Sequence, residues 1–217
     1  MYMFAELSII SNFTFLTGAS HPEEYIERAA LLGLPAIAIA DVNSVTGIVR
    51  AHNAVRDVKR LIKDRKSKSS IGPPRPQSIK KPPSLNLDRV PRLIPGSKLQ
   101  LIDGFEVTVL PKSRKGWGTL CRCLSKGRLR NNKGLCDLVI NEIIEELDDV
   151  VLLIHSPETP WNVKKSKLWL ENSALLKNKF NQDIYIVLTP EYDGIDPKRF
   201  KHIRKLSEII RCDLVAS

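Results

Sequence analysis

Short apolar runs alternate with helical patterns along most of this chain, and this alternation limits the possible fold more than any other feature. Residues 3–10 are mostly apolar, as in a buried strand, and residues 34–40 (LPAIAIA) form a second such run. One helical pattern lies between these runs, and another begins near Ser44. Strands that alternate with helices through short connections predict a parallel sheet and an α/β fold.

The first helix has recognisable start and stop signals. Ser20 is predicted to be the N-cap, with Pro22 in the first turn and Glu23 reaching back as in a capping box. The helix is expected to run to about Leu32, because Gly33 is the residue type that most often follows a helix C-terminus.

The alternation resumes in the second half of the chain. Asp103-Gly104 lies between two apolar runs within residues 99–110 and predicts a β-hairpin. Further helices and strands are predicted at 116–127, 138–147, 149–154, 165–179, 183–188, 197–210 and 212–216. The total of six or seven strands favours a (β/α) barrel over an open sheet, and we expect the barrel to be incomplete at its C-terminus.

One segment interrupts the pattern and divides the chain. Residues 62–92 are rich in Lys, Arg, Pro and Ser, and they predict a disordered insertion between a first part (1–61) and a remainder (93–217). From Arg56 to Lys81 there are ten basic residues against two acidic ones. Such a segment is either a flexible arm that contacts nucleic-acid phosphates or a solvated loop, and a solvated loop is the simpler interpretation.

The overall charge is basic, with 34 Lys and Arg against 24 Asp and Glu, for a net charge of +10. This balance fits a polyanionic partner such as nucleic acid. No apolar run is long enough to span a bilayer, and no signal peptide is recognisable, so a cytoplasmic location is expected. We interpret the four cysteines as reduced thiols, because they form no C-x-x-C pair: Cys121, Cys123, Cys136 and Cys212.

A second basic stretch is the better candidate for a nucleic-acid surface. It contains eight basic residues and no acidic one: Lys112, Arg114, Lys115, Arg122, Lys126, Arg128, Arg130 and Lys133. Part of the stretch has a helical pattern, so several charges are expected on one surface. The alternative is an ordinary exposed helix face beside a buried Trp117.

Several long blocks occur in an order that resembles a known family. SNFTFLTGASHPEE, IADVNSVTGIVRAH, LIPGSKLQLIDG and LPKSRKGWGTLCRCLSKGRLRNNKGLCDL are similar to the N-terminal region of bacterial C-family DNA polymerases, the group of the polymerase III alpha subunit, and most similar to its error-prone branch. The resemblance covers the chain apart from about 62–88. It implies a PHP domain, a distorted TIM-like (β/α)7 barrel whose active members hydrolyse phosphoesters with two or three metal ions at the strand ends.

The resemblance also indicates where metal ligands would stand, and most are absent. The family's first His-x-His falls on Ser8 and Ile10, its Asp-His on Asp41 and Val42, its glutamate on Lys98 and a later histidine near Glu106, while its last Asp-x-His would follow Ser217. Only Asp41 matches, and a lysine ammonium disfavours a neighbouring metal ion. We therefore expect no metal, no other cofactor and no catalytic residue. Asp41 is instead expected to cap the following helix or to be hydrogen-bonded in its turn.

Three functions are compatible with these residues. The first is a fragment of an error-prone DNA polymerase that acts in damage-associated synthesis, in which the PHP-like domain has a structural role. Its expected partners are DNA, the other polymerase domains and other damage-response subunits. Because the polymerase carboxylates of that family follow the PHP domain, this chain is not expected to polymerise DNA alone. The second is a standalone phosphoesterase or exonuclease that uses Asp41, Glu106 and His155. The third is a small basic nucleic-acid-binding protein.

Overall fold

A computed structural model describes residues 4–68, 89–132, 134–156 and 163–217. The helices and strands in these ranges are β1 (Glu6–Ile9), α1 (Pro22–Leu31), β2 (Ala36–Ile39), α2 (Gly47–Lys68), β3 (Arg92–Pro95), β4 (Ser97–Gln100), β5 (Glu106–Pro111), α3 (Arg114–Leu129), α4 (Ile140–Glu146), β6 (Val150–Ile154), α5 (Val163–Phe180), β7 (Ile184–Leu188), α6 (Asp196–Ile210) and β8 (Asp213–Ala216). The predicted α/β fold is confirmed. The chain forms two compact units, one from 1–39 and 46–94 and the other from 40–45 and 95–217.

The first unit is a small sheet with two helices. Its strand order is β1-β2-β3, and β1 pairs with β2 in parallel through an irregular register. The helices α1 and α2 contribute small and β-branched side chains to a core with β2. That core consists of Ile26, Ala29, Ala30, Ile37, Ile39, Ala51, Ala54, Val58 and Ile62. The apolar positions of α1 recur at helical spacing, so one face of the helix is buried against the sheet.

Helix α1 begins at Pro22, as the sequence predicts, but its capping interaction is shifted by one residue. The N-cap is His21 rather than Ser20, and its backbone N–H donates to the Glu24 carboxylate at 2.7 Å, so Glu24 replaces Glu23 in the capping interaction. His21 has the extended backbone that an N-cap requires. Glu23 instead pairs with Arg50 of α2.

The first residues of the predicted insertion are helical. Helix α2 continues through Lys68, past the predicted start of the insertion at residue 62, because no proline interrupts the chain before Pro73 and Lys and Arg favour helices. Strand β3 (Arg92–Pro95) begins at the predicted end of the insertion. Residues 69–88, which hold most of this segment, lie outside the described part of the chain.

The second unit is built on a five-stranded sheet with the order β4-β5-β6-β7-β8. The predicted hairpin is confirmed, with β4 antiparallel to β5 and Gly104 at a positive φ of 83° in the turn. The sheet is mixed, because this hairpin reverses the chain and β5 also pairs antiparallel with β6. Strands β6, β7 and β8 are parallel, as their intervening helices require.

One face of this sheet forms the main hydrophobic core. Val107, Val109, Leu152 and Ile154 point to this face, and Leu120 of α3 packs against them. Because side chains alternate along a strand, the residues between them point to the opposite face. Glu106 and Thr108 belong to that opposite face, which carries the candidate site. No helix among the described residues is long and apolar enough to cross a membrane.

Candidate functional site

Five polar side chains meet on this opposite face, where β6 ends. Strand register places Lys98 of β4 opposite Thr108 of β5, and Gln100 opposite Glu106. The residue after β6 is His155, and its backbone N–H donates to the Glu106 carbonyl at 3.1 Å. The carboxyl ends of parallel strands are where sites in α/β folds usually lie, so this is the position at which chemistry would be expected.

Lys98 and Glu106 form an ion pair at the centre of this group. The Lys98 Nζ lies 2.5 Å from Glu106 Oε2, and the two side chains are only 16% and 22% exposed. The other carboxylate oxygen, Oε1, accepts a hydrogen bond from Gln100 Nε2 at 3.3 Å. Partial burial strengthens this attraction relative to a solvated pair, because water screens the charges less.

His155 is held as a neutral side chain beside this pair. Its Nε2 lies 2.8 Å from the Thr108 hydroxyl, and its carbonyl accepts a hydrogen bond from Trp169 Nε1 at 2.7 Å. Burial, together with the positive charge of Lys98, lowers the pKa of His155 from 6.5 to about 3. A histidine with so low a pKa is a poor proton donor near neutral pH.

Asp41 lies in a buried segment beside β4. The residue is 1% exposed, and its carbonyl accepts hydrogen bonds from the Lys98 N–H at 3.1 Å and from the Ser97 hydroxyl at 2.9 Å. The prediction that Asp41 caps the next helix is wrong, because α2 begins at Gly47. The alternative, a residue hydrogen-bonded in its turn, is confirmed by the contact from the Ser44 N–H to the Asp41 carbonyl.

The residues at the family's first motif lie in the other compact unit. Ser8 belongs to β1, and Ile10 follows that strand. Both are half-buried, and the Ile10 carbonyl accepts a hydrogen bond from the Tyr25 hydroxyl at 3.3 Å. Neither side chain is a usual ligand for a divalent metal ion.

The carboxylate of Glu106 and the imidazole of His155 already have partners within the chain. Among the described residues, no three His, Cys, Asp or Glu side chains are grouped so that they could hold a metal ion. The Glu106 carboxylate is already paired with an ammonium group, and a metal ion beside Lys98 would meet electrostatic repulsion. The polar group on this sheet is therefore organised around an internal cation.

The predicted basic surface carries more acidic partners than its sequence suggests. Lys112 pairs with Asp183 at 2.7 Å, and Lys115 pairs with Asp148 at 2.5 Å. On the same helix, Arg122 and Lys126 both contact Glu146. The hydrogen bond from Lys126 lowers the pKa of Glu146 and raises that of Lys126. Carboxylates from α4 and from loops therefore neutralise much of a stretch that contains no acid.

The other basic residues of the 112–133 stretch have different surroundings. Arg130 pairs with Glu142, and Arg128 donates to the Asn43 carbonyl, so both guanidinium groups have internal partners. Arg114 is exposed at the start of α3, and Lys133 lies outside the described residues. A nucleic-acid role for this stretch stays a prediction.

Sequence patterns did not reveal two residues that shape the region. Asn43 has a positive φ of 47°, and its side-chain amide both donates to and accepts from the backbone of Gln100, at 3.2 and 3.0 Å. Thr108 is fully buried and supports His155. Asn in a turn was the one available signal, since Asn tolerates this backbone conformation better than most residues.

A family model for the PHP domain matches residues 6–194. The chain belongs to the PHP family. This PHP domain is 35% identical over 207 residues to an error-prone DNA polymerase from Ruegeria pomeroyi and 31% identical over 216 residues to error-prone DNA polymerase 1 from Rhizobium meliloti. These alignments cover 89% and 99% of the chain but only 18% and 16% of the two relatives. The resemblance to error-prone polymerases is thus confirmed.

Two solved structures share the fold. One is described as a metal-dependent phosphoesterase from Bifidobacterium adolescentis, with a TM-score of 0.56, 10% identity, and coverage of 98% of this chain and 85% of that one. The other is an amidohydrolase from Chromobacterium violaceum, with a TM-score of 0.52, 13% identity, and coverage of 98% and 87%. At such low identity the likeness shows that the PHP-type α/β fold is shared.

Proposed function

We propose that this PHP domain is a structural domain of an error-prone DNA polymerase that acts in damage-associated DNA synthesis in the bacterial cytoplasm. The family membership and the similarity to error-prone polymerases support the polymerase assignment. The proposed partners are DNA, the other domains of the polymerase and the subunits that act with it. Because the chain spans less than a fifth of these relatives, the activity of the whole polymerase is part of this proposal.

The ion pair between Lys98 and Glu106 carries the proposal of a structural role. A catalytic PHP site would need carboxylates and imidazoles that are available to metal ions. Here the Glu106 carboxylate is paired with Lys98 and bonded to Gln100, and His155 is bonded to Thr108. These contacts join β4, β5 and the end of β6, so the polar groups serve packing of the sheet.

Metal binding and phosphodiester hydrolysis test this role. The chain is titrated with Mn²⁺ and Zn²⁺ in a calorimeter and assayed with bis(p-nitrophenyl) phosphate in the presence of each ion. We expect no binding in the micromolar range and no metal-stimulated hydrolysis. Hydrolysis that requires the metal and disappears in Asp41→Asn, with Asp57→Asn, whose side chain is 66% exposed, as a surface control, would overturn the structural role in favour of a phosphoesterase.

A further inference from the structure

Helix α6 carries a row of lysines that differs from the basic surface on α3. Lys198, Lys201 and Lys205 are exposed and, with His202, line a shallow groove of about 230 Å³. The three lysines stand at positions i, i+3 and i+7, which lie on one side of a helix. They extend over about 10 Å of the helix axis, at a rise of 1.5 Å per residue.

These lysines lack the acidic partners that neutralise α3. None of the three ammonium groups forms an ion pair or hydrogen bond with another residue in the described part of the chain. Glu208, one turn after Lys205, is the acidic residue that follows them on the helix. Arg204 adds a further exposed positive charge. Clustered like charges without partners repel one another, and a polyanion relieves that repulsion.

The loop that leads into α6 presents an exposed aromatic ring. Tyr192 is 87% exposed, and its φ of 56° is uncommon for an aromatic residue. The loop is nonetheless fixed, because the Tyr192 N–H donates to Asp196 Oδ2 at 2.9 Å and the buried Arg199 guanidinium binds both Asp193 and Asp196. Glu191 also contacts Arg199 at 3.0 Å. A buried arginine thus holds an exposed tyrosine in a defined place.

We propose that α6 and this loop bind single-stranded nucleic acid, with phosphates on Lys198, Lys201 and Lys205 and a base stacked on Tyr192. A row of cations combined with an exposed ring is the usual arrangement of single-strand binding surfaces, which need no sequence-specific contacts. The choice of nucleic acid as the polyanion rests on the proposed role in DNA synthesis. The lysine row lies beyond residue 194, where the PHP match ends, whereas Tyr192 lies just inside that match.

Fluorescence anisotropy with a labelled oligo(dT) strand tests the lysine row. Binding by the 217-residue chain is measured between 50 and 300 mM salt for the unaltered protein and for Lys201→Gln/Lys205→Gln. We expect weaker binding and a plot of log affinity against log salt whose slope is smaller by about 1.4, because each lost phosphate contact on a single strand removes about 0.7. The control is Lys115→Gln/Lys126→Gln, which alters two ion-paired lysines of α3 and should bind as the unaltered chain does.

Tyr192 separates stacking from simple charge attraction. Tyr192→Ala should lower affinity for the single strand about 5- to 150-fold without changing the salt slope, and Tyr192→Phe should bind normally. An unchanged slope in the α6 double variant, or an equal loss in the α3 control, would refute the proposal. So would full binding by Tyr192→Ala. Metal-dependent hydrolysis would instead overturn the structural role and leave these binding results unaffected.

Discussion

At the scale of single residues, Lys98 shows how one side chain changes what a scaffold can do. Its ammonium group is 2.5 Å from Glu106, at a place where the family resemblance leads one to expect a glutamate. A change from a carboxylate to an ammonium reverses the charge, so the neighbouring acid becomes an ion-pair partner. Under the proposed structural role, the cation that pairs with Glu106 therefore belongs to the chain itself.

Removal of Lys98 should be more costly than removal of an exposed lysine. In Lys98→Met, Glu106 keeps its charge in a site that is 22% exposed, and we expect the free energy of unfolding to fall by about 1–3 kcal/mol. Lys98→Met/Glu106→Gln should recover part of that loss, because no charge is left unpaired. Urea denaturation provides the measurement.

Lys167→Met is the matched control for this experiment. Lys167 lies 3.9 Å from Glu171, and the side chains are 80% and 58% exposed. Such a pair contributes little, so the change should be below about 0.5 kcal/mol. An equal effect of the two substitutions would show that the Lys98 pair has no special structural role.

Because His155 is buried and neutral, we expect the folded protein to lose stability on mild acidification. Its pKa is lowered to about 3 in the folded chain, whereas the unfolded chain binds the proton near pH 6.5. Below pH 6.5 the unfolded state therefore holds more protons, and stability falls as the pH falls, by up to about 1.4 kcal/mol per pH unit. This contribution is fully present above pH 6.5.

The measurement is urea denaturation at pH 7.5, 6.5 and 5.5. His155→Gln, which retains a polar group near Thr108 but does not titrate, should show a shallower decline between pH 6.5 and 5.5. Parallel declines in the two proteins would contradict a buried, neutral His155. Carboxylates titrate mainly below this window and contribute similarly to both proteins.

At the scale of helices and strands, we expect alanine substitutions at two glycines of α3 to have opposite effects on stability. A Cβ on Gly127 would lie 2.8 Å from Leu138 Cδ2 and 2.9 Å from Cys136 Sγ, whereas a Cβ on Gly118 would approach only Arg122, at 3.9 Å. Gly127→Ala should destabilise the protein by about 1–3 kcal/mol through overpacking. Gly118→Ala should stabilise it by up to about 1 kcal/mol, because alanine favours the helix. Thermal denaturation of both variants checks the pair, and stabilisation by both would show that α3 does not pack closely at Gly127.

Several elements were predictable from the sequence because their signals are local. The strand LPAIAIA and the hairpin at Asp103-Gly104 depend on residues that are close along the chain, and both are present in the structure. The pairing of β5 with β6 was not predictable in this way, because two helices separate these strands. The short β3 was hidden at the edge of a segment rich in charged residues and proline.

The contacts within the candidate site were even harder to predict from the sequence than the strand pairing. Ser8, Ile10 and Lys98, which the family resemblance aligns with metal-ligand positions, can be read directly from the sequence. The contact between Lys98 and Glu106 is not, because the register of a hairpin determines it. The acids that pair with the lysines of the basic stretch come from residues 146–183, so a count within the stretch could not include them.

At the scale of the whole molecule, the two compact units have cores of different character. One core has alanine at four of its positions, whereas the other combines Leu, Ile, Val, Phe and Trp around a five-stranded sheet. Larger buried side chains remove more apolar surface from water, so the second unit gains more stability per residue. The short, irregularly paired β1 adds few backbone hydrogen bonds to the first unit.

Hydrogen exchange should reveal this difference. Amides of β5, β6 and β7, which lie inside the five-stranded sheet, should exchange most slowly, and amides of β1 should exchange at least about tenfold faster. Mass spectrometry of peptides after exchange at pH 7 provides the comparison. Equal protection of β1 and β6 would show that the chain opens only as a single cooperative unit.

The Lys98 ammonium is covalently part of the chain, and this bears on whether the domain depends on metal ions. Bound ions exchange with solution, so proteins that depend on them respond to chelators and to metal shortage. By contrast, the Lys98 ammonium cannot dissociate, and it lies beside Glu106 as soon as β4 and β5 pair. We therefore expect this domain to melt at the same temperature with and without EDTA, and its folding to be independent of the cell's supply of zinc or manganese.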